Sequence, residues 1–343
     1  MVQKNLFILD FKKFPGAFLI TVLLVLLFEG FSFLISENCY IGQTEQMIEQ
    51  RENLITRIKN EISQVKENNF GVIAFGDSYG NCGIICKAVK KETSLDCFNF
   101  STNGRNSVFN SFSMMRNYLK ATSQKPKFMV ISFNLYTYLL GKPKLEYSYE
   151  FLPGNFDIFV RELGFDHTVK CLIPTLRAQE FFLQIVQDPF LLFQIKNDKR
   201  KRYEVLKSKL TADLGFISDL NEIPYSESED QIERARDYQF SIDPFAYHYL
   251  DAMLELAHRN EIKVLYVMPT RPKHIDQLFE ESEEAQRYRD FVDSLRKRYS
   301  DLIILDFQKL LEEKQLYQDP LHLNKKGSDL LSTLVSQKIN ELQ

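Results

Sequence analysis

Residues 71–75 (GVIAF), 96–100 (DCFNF), 127–133 (KFMVISF), 263–268 (KVLYVM) and 302–307 (LIILDF) are short apolar runs of strand length. Helical patterns lie between and after them, at 81–92, 107–122, 245–260, 276–299 and 325–341. Strands separated by helices imply a parallel sheet with crossover helices on both faces. The expected fold class is therefore α/β, a three-layer sandwich with a parallel sheet of about five strands. The run 127–133 is continuous enough to be covered on both faces. At 44% apolar and 13% aromatic residues, the chain can fill such a core. Its net charge of −3 lacks the basic excess of a nucleic-acid surface, so no nucleic-acid partner is expected.

One segment ahead of this pattern is long and apolar enough to cross a membrane, residues 16–36 (GAFLITVLLVLLFEGFSFLIS). At ~1.5 Å per residue it spans ~31 Å, about one hydrocarbon core. Glu29 is its only charge. An acid at the helix centre costs ~3 kcal/mol, while each Leu, Ile, Phe or Val returns ~0.3–0.6, so insertion wins. Lys12 and Lys13 precede the span, which places residues 1–15 in the cytoplasm and 37–343 outside. The apolar core is longer than a signal-peptide h-region and no A-x-A-like site follows, so the span reads as an uncleaved anchor. Ser36-Glu37-Asn38-Cys39 lacks the small residue that precedes a lipoprotein cysteine. Glu29 is read either as a residue tolerated near the outer interface or as a contact with a partner membrane protein.

Residues 37–69 form the expected stalk, with Ile48, Ile55, Ile58, Ile62 and Val65 at helical spacing within a charged stretch, 43–68. This juxtamembrane helix should lift the domain, 70–343, off the bilayer. An insertion at about 135–240 interrupts the α/β pattern between two strands, the usual place of a cap or lid. Its first half is aromatic (Tyr136, Tyr138, Tyr147, Tyr149, Phe151, Phe156, Phe159), either the core of the cap or a sugar- or acyl-binding face. Its second half holds the basic run Lys199-Arg200-Lys201-Arg202, a solvated helix face or a site for an anionic polymer or lipid headgroup, and the acidic stretch Glu227-Ser228-Glu229-Asp230. The five cysteines, Cys39, Cys82, Cys86, Cys97 and Cys171, show no metal-ligand spacing. Cys82 and Cys86, at i and i+4, read as small buried apolar side chains, and a disulfide scaffold is not expected from an odd count.

The chemistry concentrates at the two ends of the α/β pattern. Phe75-Gly76-Asp77-Ser78-Tyr79-Gly80 closes the first apolar run and places a serine where strand hands over to helix. Asp319-Pro320-Leu321-His322-Leu323-Asn324 follows the last strand. Ligands in open parallel sheets bind beyond the carboxyl ends of the strands, so the two segments can meet. A serine hydroxyl needs a base to take its proton, and histidine serves near neutral pH. The histidine in turn needs an acceptor to fix its tautomer, which Asp319 can supply across a turn favoured by Pro320. The Ser78 amide, at a helix start, is a ready donor for an oxyanion. As capping and turn residues alone, Asp77, Ser78 and Asp319-Pro320 would be unremarkable; their joint occurrence in this order favours catalysis. His248 and His258 fall in a helix, and His167 and His274 in loops without a nucleophile nearby.

In these two blocks the chain resembles the SGNH (GDSL) hydrolase superfamily. The resemblance covers about 70–134 and 245–342 and assigns Ser78 as nucleophile, His322 as base and Asp319 as its orienter. It implies that Gly104, after the second strand, adds an oxyanion amide. Asn134 stands where the family's third block usually reads Gly-x-Asn-Asp, a pattern this chain lacks. It implies no metal and no organic cofactor. The N-terminal span and the weak third block resemble the membrane-anchored branch, which includes teichoic-acid D-alanine transfer and alginate O-acetylation proteins. The implied activity is ester hydrolysis or O-acyl transfer on cell-envelope carbohydrate or lipid, with a multi-pass membrane O-acyltransferase as possible partner. Two alternatives are a lipid esterase with an aromatic acyl groove and a non-catalytic scaffold that keeps the fold.

Overall fold

The computed structural model describes residues 20, 23–27, 51–102, 107–133, 156–163, 165, 191–217, 225–229, 232 and 244–343. The chain divides into two compact units, Met1–Gln50 with Val160–Tyr203, and Arg51–Phe159 with Glu204–Gln343. In the first unit, residues 20 and 23–27 are helical, and Ile20, Leu23, Leu24, Val25, Leu26 and Leu27 are all exposed. The rest of the span 16–36 lies outside the described residues, among which no helix is long and apolar enough to cross a membrane.

The second unit carries the sheet. Its elements begin with α1 (Arg51–Ser63), β1 (Val72–Gly76), α2 (Ser78–Gly83), α3 (Cys86–Thr93), β2 (Cys97–Asn99), α4 (Ser107–Ala121) and β3 (Phe128–Ser132). Next in the chain are two helices, α5 (Phe156–Leu163) and α6 (Leu191–Ala212). Then come α7 (Pro244–Arg259), β4 (Lys263–Val267), α8 (Lys273–Glu280), α9 (Glu283–Arg298), β5 (Ile303–Leu305) and α10 (Lys325–Leu342). All five strands are parallel, in the order β2-β1-β3-β4-β5.

Every residue of β1 and β3 is buried, as continuous apolar runs require of strands covered on both faces. Alternate residues serve opposite layers. Val72 and Ala74 join a core with Val89 of α3 and Leu331, Val335 and Ile339 of α10. On the other face Phe75 stacks on Phe100, which tilts against Tyr118 of α4. The free edge of β2 is met by the chain after α6, where Leu214 O accepts from Asn99 N at 2.9 Å. This is the expected α/β architecture, with helices on both faces.

Three local readings are corrected. The helix expected at 81–92 is two, α2 and α3, and that expected at 276–299 is also two, α8 and α9. The first break has tertiary causes: Asn99 Nδ2 donates to Gly80 O and Ile84 O, and Ile85 N donates to Ser332 Oγ of α10. Cys86 is not a simple apolar filler, because it forms a disulfide with Cys97 that ties α3 to β2. The helix folds back on its own next strand and brings the two Cα atoms to 5.1 Å, within bridging range, an approach that spacing cannot reveal. Cys82 is buried and takes no part in the bridge, while Cys39 and Cys171 lie outside the described residues.

Of the expected stalk, α1 and the residues after it are described. Ile55, Ile58 and Ile62 are buried, whereas Val65 is 40% exposed. The helix packs into the fold with an unusually polar inner face: Thr56, Lys59, Asn60 and Ser63 are buried too. Asn60 Oδ1 accepts from Asn117 Nδ2 of α4 at 3.0 Å. The expected cap, 135–240, lies largely outside the described residues, including Tyr136, Tyr138, Tyr147, Tyr149 and Phe151.

Candidate active site

Strand order reverses between β1 and β3, which opens a crevice at their carboxyl ends. There β1 turns sharply into α2. A Cβ on Gly76 would lie 2.1 Å from Ser132 O of the neighbouring strand, so only glycine lets the two strand ends approach this closely. Asp77 caps the helix, with Oδ1 accepting from Tyr79 N at 2.9 Å. Ser78 is the first residue of α2 and half-buried. Its amide belongs to a helical first turn, whose N–H groups have no intrahelical acceptor.

The loop 317–324 comes to meet it. Tyr317 and Leu323 form an isolated antiparallel bridge, and Gln318 N donates to His322 O at 3.0 Å. Asn324 caps α10 by accepting from Gly327 N, and its amide donates to the carbonyls of Gln315 and Tyr317. Inside this loop Asp319 Oδ1 accepts from the backbone N–H groups of Leu321 and His322, both at 2.8 Å. His322 Nδ1 lies 2.8 Å from Asp319 Oδ2, and His322 Nε2 lies 2.8 Å from Ser78 Oγ. The structure thus brings together Ser78, His322 and Asp319, which are up to 244 residues apart. Gly104 and Asn134 lie outside the described residues.

Electrostatics follow this geometry. Burial disfavours an imidazolium at His322, but the hydrogen bond and charge of Asp319, with the charge of Asp77, outweigh it and hold the pKa above the ordinary histidine value. Burial would likewise raise Asp319. The bond and charge of His322 and the two backbone donors prevail, and the carboxyl stays below its ordinary range. The pair is set to keep an ionised acid beside a readily protonated base.

A further shell of residues carries no catalytic signature in the sequence. The Tyr79 and Tyr317 hydroxyls lie 2.8 and 2.9 Å from Thr270 Oγ1, joining α2 to the loop after β4 and the base of the His322 loop. Ser328 Oγ of α10 donates to Cys82 O. Asn99 holds α2 from below, and its own Oδ1 accepts from Ser101 N at 2.9 Å. Asn99 did leave a signal: a polar residue inside the apolar run 96–100. Lys59 of α1 left none. At the rim, Glu227 bonds Tyr225, His274 and Lys314 and is held down to about 2 by these partners, the Tyr225 hydroxyl foremost. His274, expected in a loop, is in α8.

No protein-family model matches the sequence, and no match was found among curated proteins. Solved structures with a similar trace include a protein assigned as lipolytic, of the G-D-S-L family, from Desulfitobacterium hafniense (13% identity, TM-score 0.37, covering 78% of this chain and 97% of that one). A protein assigned as an acylhydrolase from Bacteroides fragilis shares 11% identity at a TM-score of 0.39, covering 83% and 93%. A GDSL-like lipase from Bacteroides thetaiotaomicron shares 9% at 0.38, covering 82% and 91%. At such scores these likenesses carry no functional inference.

Proposed function

We propose that the chain is a membrane-anchored serine ester hydrolase or O-acyltransferase of the SGNH type, acting outside the cytoplasm on an acyl ester of cell-envelope carbohydrate or lipid. One observation carries it: the continuous line from Ser78 Oγ through the His322 ring to the Asp319 carboxylate, with 2.8 Å at each step. His322 Nε2 takes the Ser78 proton as Oγ attacks the acyl carbonyl. Asp319 holds Nδ1–H and stabilises the imidazolium. The oxyanion is received by the Ser78 amide, joined by Gly104 and Asn134 on the family pattern. His322 then protonates the leaving alcohol, giving an acyl-serine. In the second half it takes a proton from the acceptor, water or a sugar hydroxyl, as that oxygen attacks the acyl-serine, and returns the proton to Ser78 Oγ as the acyl–Oγ bond breaks.

Two observations support the compartment. Residues 20 and 23–27 present exposed apolar side chains along a helical stretch, suited to lipid. The Cys86–Cys97 disulfide suits an oxidising environment. An anchor in the same bilayer would also suit work beside a multi-pass O-acyltransferase. The test is a fluorophosphonate on the full chain in membranes: Ser78 should be labelled, and Ser78→Ala and His322→Gln should each lose labelling and release from an acetyl ester. Full ester turnover by Ser78→Ala at matched abundance would make the serine structural and leave the fold a scaffold.

A further inference from the structure

Lys59 is fully buried on the inner face of α1, the helix that follows the expected membrane span. Its Nζ donates to Asn81 Oδ1 at 2.8 Å and to Ser101 O at 2.6 Å. Asn81 sits one turn after Ser78 in α2, and Ser101 lies two residues past the end of β2. One side chain thus joins the helix that presents the nucleophile to the chain just past β2. Both acceptors are neutral. Burying an amine this completely is costly: burial holds its pKa well below the ordinary lysine range, with Cys82 acting weakly the other way. A core that needed only filling would not keep it.

From this juxtaposition we infer that Lys59 is a positioning residue of the active site, and that α1 is a support of the catalytic machinery as well as a stalk. The inference rests on the hydrolase reading above. Lys59 contacts no reacting atom. It acts by holding α2, which carries Ser78 and its amide, against the chain just past β2. The same helix is locked to α4 by the Asn117–Asn60 bond and is covered by Lys207, whose Nζ meets Glu61 Oε2 at 3.0 Å.

The experiment again uses a fluorophosphonate on the full chain. Fluoride leaves as Ser78 Oγ bonds phosphorus, and the phosphoryl oxygen occupies the oxyanion position. The final label per molecule counts folded sites, while the rate reports how well they are arranged. Lys59→Met should reach the wild-type final label at a rate about 10- to 100-fold lower, the scale of small misplacements around a reacting centre. Asn81→Ala should also slow it. The double variant should be no slower than the worse single one, because either change cuts the same link. If Lys59→Met fails to fold, the Asn81→Ala rate alone decides. A wild-type rate in the variants, or a reduced final label at unchanged rate, overturns the positioning role and leaves the hydrolase reading standing. Absence of labelling in the wild type removes both.

Discussion

At the scale of single residues, the pH response belongs to His322. The base must be neutral to accept the Ser78 proton, so activity should rise with pH as His322 deprotonates. Because Asp319 and Asp77 hold its pKa up, the midpoint should lie above the ~6.5 of a free imidazole. Asp319→Asn removes the nearer charge and leaves burial to dominate. Its plateau should fall severely and its midpoint should move to lower pH, as a pH–rate profile of acetyl-ester release would show. An unmoved midpoint would mean that Asp319 does not set the base. Ser78, Asp319 and His322 were legible because each sits in a short block whose chemistry is local: strand end, capping acid, turn. Lys59, Asn81 and Thr270 were not, since their roles come from approaches across 22 to 191 residues, and nothing in their neighbours announces it.

At the scale of elements, the period of the apolar runs located the strands to within a residue or two, and helix breaks were the weak point. A helix continues in sequence terms until something offers its carbonyls better partners, and at Gly80 and Ile84 that something is Asn99, fifteen or more residues later. The disulfide was hidden for the same reason. It closes a loop between residues 11 apart, for which chain entropy alone gives about 3 kcal/mol. Cys86→Ser with Cys97→Ser, or reduction by dithiothreitol, should lower stability by about that amount in a denaturant titration. Ester turnover in the folded fraction should persist, because the bridge ties α3 to β2 and supplies none of the groups in the Ser78–His322–Asp319 line. Unchanged stability on reduction would mean the bridge is not formed in solution.

At the scale of the whole molecule, the α/β alternation was readable, while the order β2-β1-β3-β4-β5 was not, because crossovers leave no mark on composition. The topology reading, with residues 37–343 outside, remains a proposal resting on Lys12, Lys13 and the apolar span. A reporter active only in the cytoplasm, fused after Gln343, should be silent; a strong signal would overturn it. One further consequence follows from where the working parts lie along the chain. Ser78 is in α2, whereas its base is in a loop near the far end, followed by α10, whose Ser328 and Ser332 donate to the carbonyls of Cys82 and Gly83 of α2. On the proposed topology, with residues 1–15 held in the cytoplasm, the chain beyond the span crosses in sequence order and exposes its serine early, before its base. On that proposal the hydroxyl stays an ordinary alcohol until Asp319 and His322 have followed, and a chain cut short before them should be inert.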